Sequence, residues 1–137
     1  MKISIINGPN LNLLGTREPG IYGRQTFEDF LMELKGKYPD IQIDYFQSNV
    51  EGELVNELQK VGFTYDGILL NAAAYTHTSV AIGDAIAAIK TPVIEIHISN
   101  IAAREEYRLR SLIAAKSVGS IAGLGLKGYE LGIRFFL

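Results

Sequence analysis

Lys2-Ile3-Ser4-Ile5-Ile6-Asn7-Gly8-Pro9-Asn10 stands at the start of the chain, and its reading decides the fold. Three isoleucines in a six-residue run make a strand apolar enough to be buried on both faces, and Asn-Gly-Pro-Asn ends it abruptly. The run is too short for a signal-peptide core or a membrane span, so no export signal is expected and a cytoplasmic location is. Working outward, similar short runs recur at 41–47, 66–71, 92–97 and 117–122. Four of the five suit strands covered on both faces; residues 41–47 (Ile-Gln-Ile-Asp-Tyr-Phe-Gln) alternate instead, as an edge strand does. Between the runs, residues 26–38, 50–62, 78–90, 101–115 and 126–136 carry apolar residues at helical spacing. Thr26 with Asp29 forms a capping pair for the first of these helices, and Ser48-Asn49 can cap the second.

The order is therefore βαβαβαβαβα, and such alternation implies a parallel sheet with helices on both faces. The expected fold is α/β: a three-layer, flavodoxin-like, doubly wound parallel sheet of five strands, order 2-1-3-4-5. The chain has 137 residues, 47% hydrophobic and 20% charged, which suits a single globular domain with one real core and leaves no room for a second. There is no Cys, which excludes thiol nucleophiles, Fe–S clusters and disulfide staples. A net charge of -2 offers no basic field for nucleic acid, so the expected partner is a small molecule, with neither nucleic acid nor membrane involved.

One connection is too long. Residues 8–24 hold four glycines, two prolines, two arginines and a tyrosine where an α/β sheet normally uses a few residues. At the carboxyl edge of a sheet such a segment reads as a lid or binding loop; a passive surface loop is the alternative. Gly15 and Gly20 give Gly-x4-Gly, but Ile21-Tyr22 stand where a phosphate-binding loop needs Lys-Ser/Thr, so that motif is rejected. Gly123-Leu124-Gly125-Leu126-Lys127-Gly128 matches the dinucleotide fingerprint letter for letter. Too little chain follows it for the second strand and the ribose-binding acid, so these glycines read as a tight turn and close helix packing.

Both histidines of the chain fall at the ligand-binding edge: His97 ends the fourth strand and His77 opens the helix after the third, and Asn71, which ends the third strand, joins them. Glu95 lies two residues before His97, so period-two alternation turns both side chains to one face, where the carboxylate can orient the imidazole. The pair reads either as a proton donor and acceptor poised near neutral pH or as a buried ion pair without a chemical task. A metal site is disfavoured because no helical His/Glu spacing supports one. Arg104 and Arg108, spaced i, i+4 in the expected helix at 101–115, can either pair with Glu105-Glu106 on a solvated face or close an anion pocket over the backbone N–H groups of Ile98 and Ser99. The lysines lie at helix ends or the far edge, and no Gly-x-Ser-x-Gly elbow is present, so covalent catalysis is disfavoured.

Ile6-Asn7-Gly8-Pro9-Asn10-Leu11-Asn12-Leu13-Leu14-Gly15, Arg17-Glu18-Pro19, Ile21-Tyr22-Gly23, Asn71-Ala72-Ala73-Ala74-Tyr75-Thr76-His77-Thr78-Ser79 and Glu95-Ile96-His97-Ile98-Ser99-Asn100, taken together, closely resemble the type II 3-dehydroquinases. Ala103-Arg104-Glu105-Glu106-Tyr107-Arg108 and Gly123-Leu124-Gly125-Leu126-Lys127-Gly128-Tyr129 are similar to that family too. The resemblance implies dehydration of 3-dehydroquinate to 3-dehydroshikimate, the third step of the shikimate pathway, without cofactor or metal, on a flavodoxin-like fold assembled as a dodecamer. By that resemblance Tyr22 takes the C2 proton, Arg17 activates it, and His97, steadied by Glu95, protonates the departing C1 hydroxyl. Asn10 helps hold a water against the enolate oxygen. Asn71 and the backbone of Ile98 and Ser99 bind the carboxylate, and His77 and Arg108 take ring hydroxyls. Asp84 reaches the site of a neighbouring subunit, and Arg104 lies near the site. Ala73, Gly83 and Ala102 depart from residues frequent in the family.

The main alternative is a non-catalytic flavodoxin-like binding module. Against it, Asn10-Leu11-Asn12-Leu13-Leu14-Gly15 lacks the Ser/Thr of a flavin phosphate loop, and Asn7 ends strand one where receiver domains cluster acids. A different lyase on the same scaffold is the other.

Overall fold

Residues 1–16, 20 and 25–137 are described by the structure, a computed structural model. β1 (Lys2–Asn7), β2 (Gln42–Gln47), β3 (Gly67–Asn71), β4 (Val93–His97) and β5 (Gly119–Ala122) alternate with α1 (Phe27–Lys37), α2 (Glu51–Val61), α3 (Val80–Ala88) and, after β5, α4 (Lys127–Phe136). All strand pairs are parallel and the order is β2-β1-β3-β4-β5, the expected doubly wound arrangement. Alternation along each central strand feeds two cores. Ile5 and Leu69 face one side, where Phe27 and Leu34 of α1 and Tyr129 and Ile133 of α4 meet them. Ile6 and Leu70 face the other, against Leu54 and Leu58 of α2 and Ile82 of α3. Both residues of each pair are fully buried, which is why β1 and β3 read as unbroken apolar runs.

The local signals act as their chemistry requires. Thr26 caps α1, its Oγ1 accepting from the Asp29 N–H at 3.2 Å. At α2 the expected Ser48-Asn49 cap does not form: Val50 is the N-cap residue and has no side-chain cap, Ser48 Oγ accepts from the Val50 N–H at 2.9 Å, and Asn49 Oδ1 accepts from the Asn10 N–H at 3.0 Å. β2 is an edge, as its alternation implied. β5 is the other edge, and here the expectation of two covered faces fails: Gly119, Ser120 and Ala122 are exposed in this chain.

The helix expected at 101–115 does not form. That stretch contains short 3-10 turns at Ile101–Ala103 and Glu106–Arg108, and a third, Ala114–Lys116, runs past its end. Some of its backbone groups are taken by other partners, tertiary or side-chain. The Leu112 N–H donates to Thr76 O at 2.8 Å, Arg110 O accepts from His77 Nδ1 at 2.8 Å, and Ser111 Oγ accepts from the Ile113 and Ala114 N–H groups. An i→i−4 ladder cannot use groups already spent elsewhere. Among the described residues no helix is long and apolar enough to cross a membrane.

At the carboxyl edge the chain leaves the sheet under tight constraint. The Gly8 N–H donates to Asn71 O at 2.8 Å, and a Cβ at Gly8 would stand 2.7 Å from Ala72 O, so only glycine fits. Ala73 lies just beyond, in the left-handed region at φ 52°, a position where a side chain costs about 1–2 kcal/mol. Ala73→Gly relieves that strain at the expense of chain entropy and a half-buried methyl, whereas Ala87→Gly, on the exposed face of α3, only loses helix propensity. Denaturant titration should therefore find Ala73→Gly less destabilising than Ala87→Gly by about 1 kcal/mol; equal losses would show that no strain resides at Ala73.

Candidate active site

β1 ends at Asn7, β3 at Asn71 and β4 at His97, and parallel register sets Asn7 directly beside Asn71. Beyond these strand ends lies an open cleft, lined by Pro9, Asn10, Leu11, Asn71, Ala73, Ala74, His77, His97, Ile98, Ser99, Ile101, Arg104 and Arg108. The cleft thus gathers Asn10, Asn71, His77, His97, Ile98, Ser99, Arg104 and Arg108 from the sequence-derived candidates. Asp84 is not among the lining residues; it stands exposed on α3. Arg17 and Tyr22 lie outside the described residues.

His97 and Glu95 meet as their spacing required. His97 Nε2 donates to Glu95 Oε2 at 2.8 Å, with the two residues 5% and 2% exposed. That bond assigns the proton of the neutral imidazole to Nε2 and leaves Nδ1 as the nitrogen that can act on a ligand. Glu95 has two further donors that the sequence reading missed. Ser111 Oγ donates to Oε2 at 2.7 Å and Ser120 Oγ to Oε1 at 2.6 Å. Burial pushes the Glu95 carboxyl up; the hydrogen bonds from His97, Ser120 and Ser111 outweigh it and hold the group below its ordinary value, so it stays ionised. Ser120 was findable in principle, since parallel register places it directly opposite Glu95. Ser111 was not, because it depends on the chain refusing the expected helix.

The second imidazole is fixed from its other side. His77 Nδ1 donates to Arg110 O at 2.8 Å, leaving Nε2 for the cleft, and its ring lies 6.3 Å from that of His97 with 20° between the planes. Arg104 and Arg108 do not share a helical face, but both line the cleft. Arg104 Nη1 donates to Ser99 Oγ at 3.2 Å, and Arg108 pairs with Glu105, holding that carboxyl below its ordinary value. Asn71 is 4% exposed and held at both ends: its Oδ1 accepts from the Ala73 N–H at 3.1 Å, and its Nδ2 donates to Tyr129 Oη at 3.0 Å. Asn10 is the other non-glycine residue in the left-handed region among those described, at φ 71°. Strained backbone on both walls of one cleft points to a built site. Among the described residues no group of three or more His, Asp or Glu side chains is placed to hold a metal ion. What the cleft presents is a hydrogen-bonded imidazole able to give or take a proton, an amide, a second imidazole and two guanidinium groups, a set suited to a hydroxylated carboxylate.

Comparison with known proteins agrees with that chemistry. The profile of the family described as Dehydroquinase class II matches residues 1–137. A 3-dehydroquinate dehydratase of Campylobacter jejuni subsp. jejuni (strain 81-176) is 53% identical over 135 residues, covering 97% of this chain and 85% of that protein. The crystal structure of the type II dehydroquinase from Butyrivibrio crossotus superposes with a TM-score of 0.93 at 44% identity, covering 99% of this chain and 97% of that one. That from Propionibacterium acnes gives 0.91 at 40%, covering 98% and 94%. With the profile matched from the first residue to the last, on a sheet of the expected strand order and with the expected pair at its edge, the chain belongs to the class II dehydroquinase family.

Proposed function

We propose that this chain dehydrates 3-dehydroquinate to 3-dehydroshikimate, the third step of the shikimate pathway, by anti elimination through an enolate and without a cofactor. The observation that carries the proposal is the buried Glu95–His97 pair closing a cleft rich in hydrogen-bond donors, in a chain matched over its whole length to this family. Membership of a family of enzymes does not favour the binding-module alternative.

Tyr22, as phenolate, takes the proton from C2, next to the ketone, and the electron pair forms an enolate. Collapse of the enolate makes the C1–C2 double bond and expels the C1 hydroxyl, which receives a proton from His97 Nδ1 and leaves as water. His97 is left neutral and Tyr22 protonated, and a proton passing back to His97 restores both. A free tyrosine has a pKa of about 10, so about one part in a thousand is phenolate at pH 7; lowering that by about three units needs roughly 4 kcal/mol. A guanidinium beside it in a closed, water-poor site supplies energy of that order, and Arg17 is assigned that task. The segment 8–24 is assigned the role of the lid that makes the enclosure. Asn10 holds a water on the enolate oxygen, Asn71 and the backbone of Ile98 and Ser99 bind the carboxylate, and His77 and Arg108 take ring hydroxyls. Asp84, exposed on α3 and not lining its own cleft, suits delivery to a neighbouring copy. The resemblance to the family implies a dodecamer, a tetramer of trimers, as the assembly, and a cytoplasmic location.

Mixing the protein with 3-dehydroquinate should produce enone absorbance whether or not borohydride is present. No absorbance would overturn the assignment, and loss with borohydride would reveal an imine. Tyr22→Phe is expected to lower kcat by about 10²–10⁴-fold with ligand affinity largely kept. Parallel loss of both would assign Tyr22 to binding. His97→Ala should still exchange the C2 proton with deuterated water while failing to eliminate, which proton NMR separates directly.

Glu95→Gln removes the anion beside His97 and is expected to lower kcat by about a hundredfold or more. A carboxyl lowered in the folded state stabilises the fold above its unfolded value, near 4.5, and that contribution fades as pH falls through the folded value. Melting temperatures between pH 7 and pH 3 should therefore decline less steeply in Glu95→Gln than in the parent; parallel curves would contradict the assignment.

A further inference from the structure

Gly123-Leu124-Gly125-Leu126-Lys127-Gly128-Tyr129, whose glycines imitate a dinucleotide loop, has no part in the chemistry above. Gly123 and Gly125 both adopt left-handed backbone, φ 86° and 64°, and their N–H groups donate to His97 O at 3.2 Å and Ile98 O at 3.0 Å. The loop is thereby stitched to the exit of β4. It starts α4 so that Tyr129, fully buried, lies under the strand ends. There the hydroxyl meets Asn7 Oδ1 at 2.7 Å and Asn71 Nδ2 at 3.0 Å, and Asn7 Nδ2 in turn donates to Tyr45 Oη at 3.4 Å.

The protons in this network have one consistent order. A backbone N–H can only donate, so the Ala73 amide assigns its partner on Asn71 as Oδ1. Asn71 Nδ2 then faces Tyr129, whose oxygen accepts, and the single Tyr129 proton goes to Asn7 Oδ1. Burial pushes the Tyr129 phenol up, so it keeps that proton. One N–H of Asn71 Nδ2 is consumed by Tyr129, and the other remains for the cleft. We infer that Tyr129 is a positioning residue that locks the Asn71 amide with an N–H toward the cleft, committing it to an anionic oxygen of the substrate. The inference rests on the proposed role of Asn71 as a carboxylate ligand and names what enforces it.

The test is a double-mutant cycle read by KM and kcat on 3-dehydroquinate. Asn71→Ala should raise KM by more than about tenfold, and Tyr129→Phe by about tenfold with kcat within about twofold, the size of one misdirected hydrogen bond. In the Asn71→Ala background, Tyr129→Phe should add nothing. Tyr45→Phe, which removes a hydroxyl from the far end of the same network, should shift the melting temperature but leave KM alone. Unchanged KM in Asn71→Ala would remove the role of Asn71 and the inference with it. A raised KM there, with Tyr129→Phe silent or its factor multiplying independently, would overturn the inference alone. Should Tyr129→Phe not fold, the parent protein decides by NMR of the Asn71 side-chain amide. One Nδ2 proton is expected to resist solvent exchange throughout, and the other to shift on adding quinate, the substrate with its ketone reduced. Equal behaviour of the two protons would overturn the inference.

Discussion

Parallel strands deliver every chain exit to the same edge of a sheet, and a sheet covered on both faces leaves the polar groups at that edge short of water. Asn7, Asn71 and His97 end three adjacent strands and are at most 5% exposed. A buried amide or imidazole without partners costs about 1–3 kcal/mol, so each must be satisfied from within. The molecule meets this demand with side chains from the last third of its sequence: Tyr129 for the two asparagines, Ser111 and Ser120 for the carboxylate that holds His97. Satisfying the edge and building the cleft are therefore one act, because the groups that saturate one side of Asn71 and His97 determine which side is left for a ligand.

Glu95 shows the balance most clearly. Taking a carboxylate out of water costs several kcal/mol, and a charge-assisted hydrogen bond returns about 1.5–3. Two donors would leave the outcome near even; His97, Ser111 and Ser120 together keep the group ionised. An ionised Glu95 can only accept from His97, so it fixes the Nε2–H and leaves Nδ1 as the nitrogen that faces a ligand. The two serines never touch the cleft, yet they set the charge on which the acid depends.

What was legible in the sequence follows the same logic. Strand alternation, the edge character of β2, the Thr26 cap and the Glu95–His97 pairing all follow from separations of a few residues, where periodicity fixes geometry. Asn71 and His77 reach the expected edge because strand ends map to one edge whatever the side chains do, although His77 closes a 3-10 turn, Ala73–His77, instead of opening α3. The segment after β4 was misread because its polar groups answer to partners far away: Leu112 to Thr76, Arg110 to His77, Ser111 to Glu95. Its apolar spacing is helical, but periodicity reports only which residues want burial, and Ile113 attains it fully without a helix. The role of Tyr129 is not legible in the sequence, since nothing within ten residues of it hints at Asn7, which is 122 positions away.

That misread segment also explains why the cleft has its shape. As a helix, residues 101–115 would place Arg104 and Arg108 one turn apart on a single face, with Ser111 and Arg110 O committed to the helix's own hydrogen bonds. Broken into 3-10 turns, the chain frees Arg110 O to orient His77 and Ser111 to support Glu95, and both arginines still line the cleft. Two of the backbone groups so released, the Leu112 N–H and Arg110 O, bond to Thr76 O and His77, and others keep local i→i−3 bonds such as Arg108 N–H to Glu105 O. What the exchange gains is direction: each replacement bond ends on a group that borders the cleft or on one that holds such a group in place.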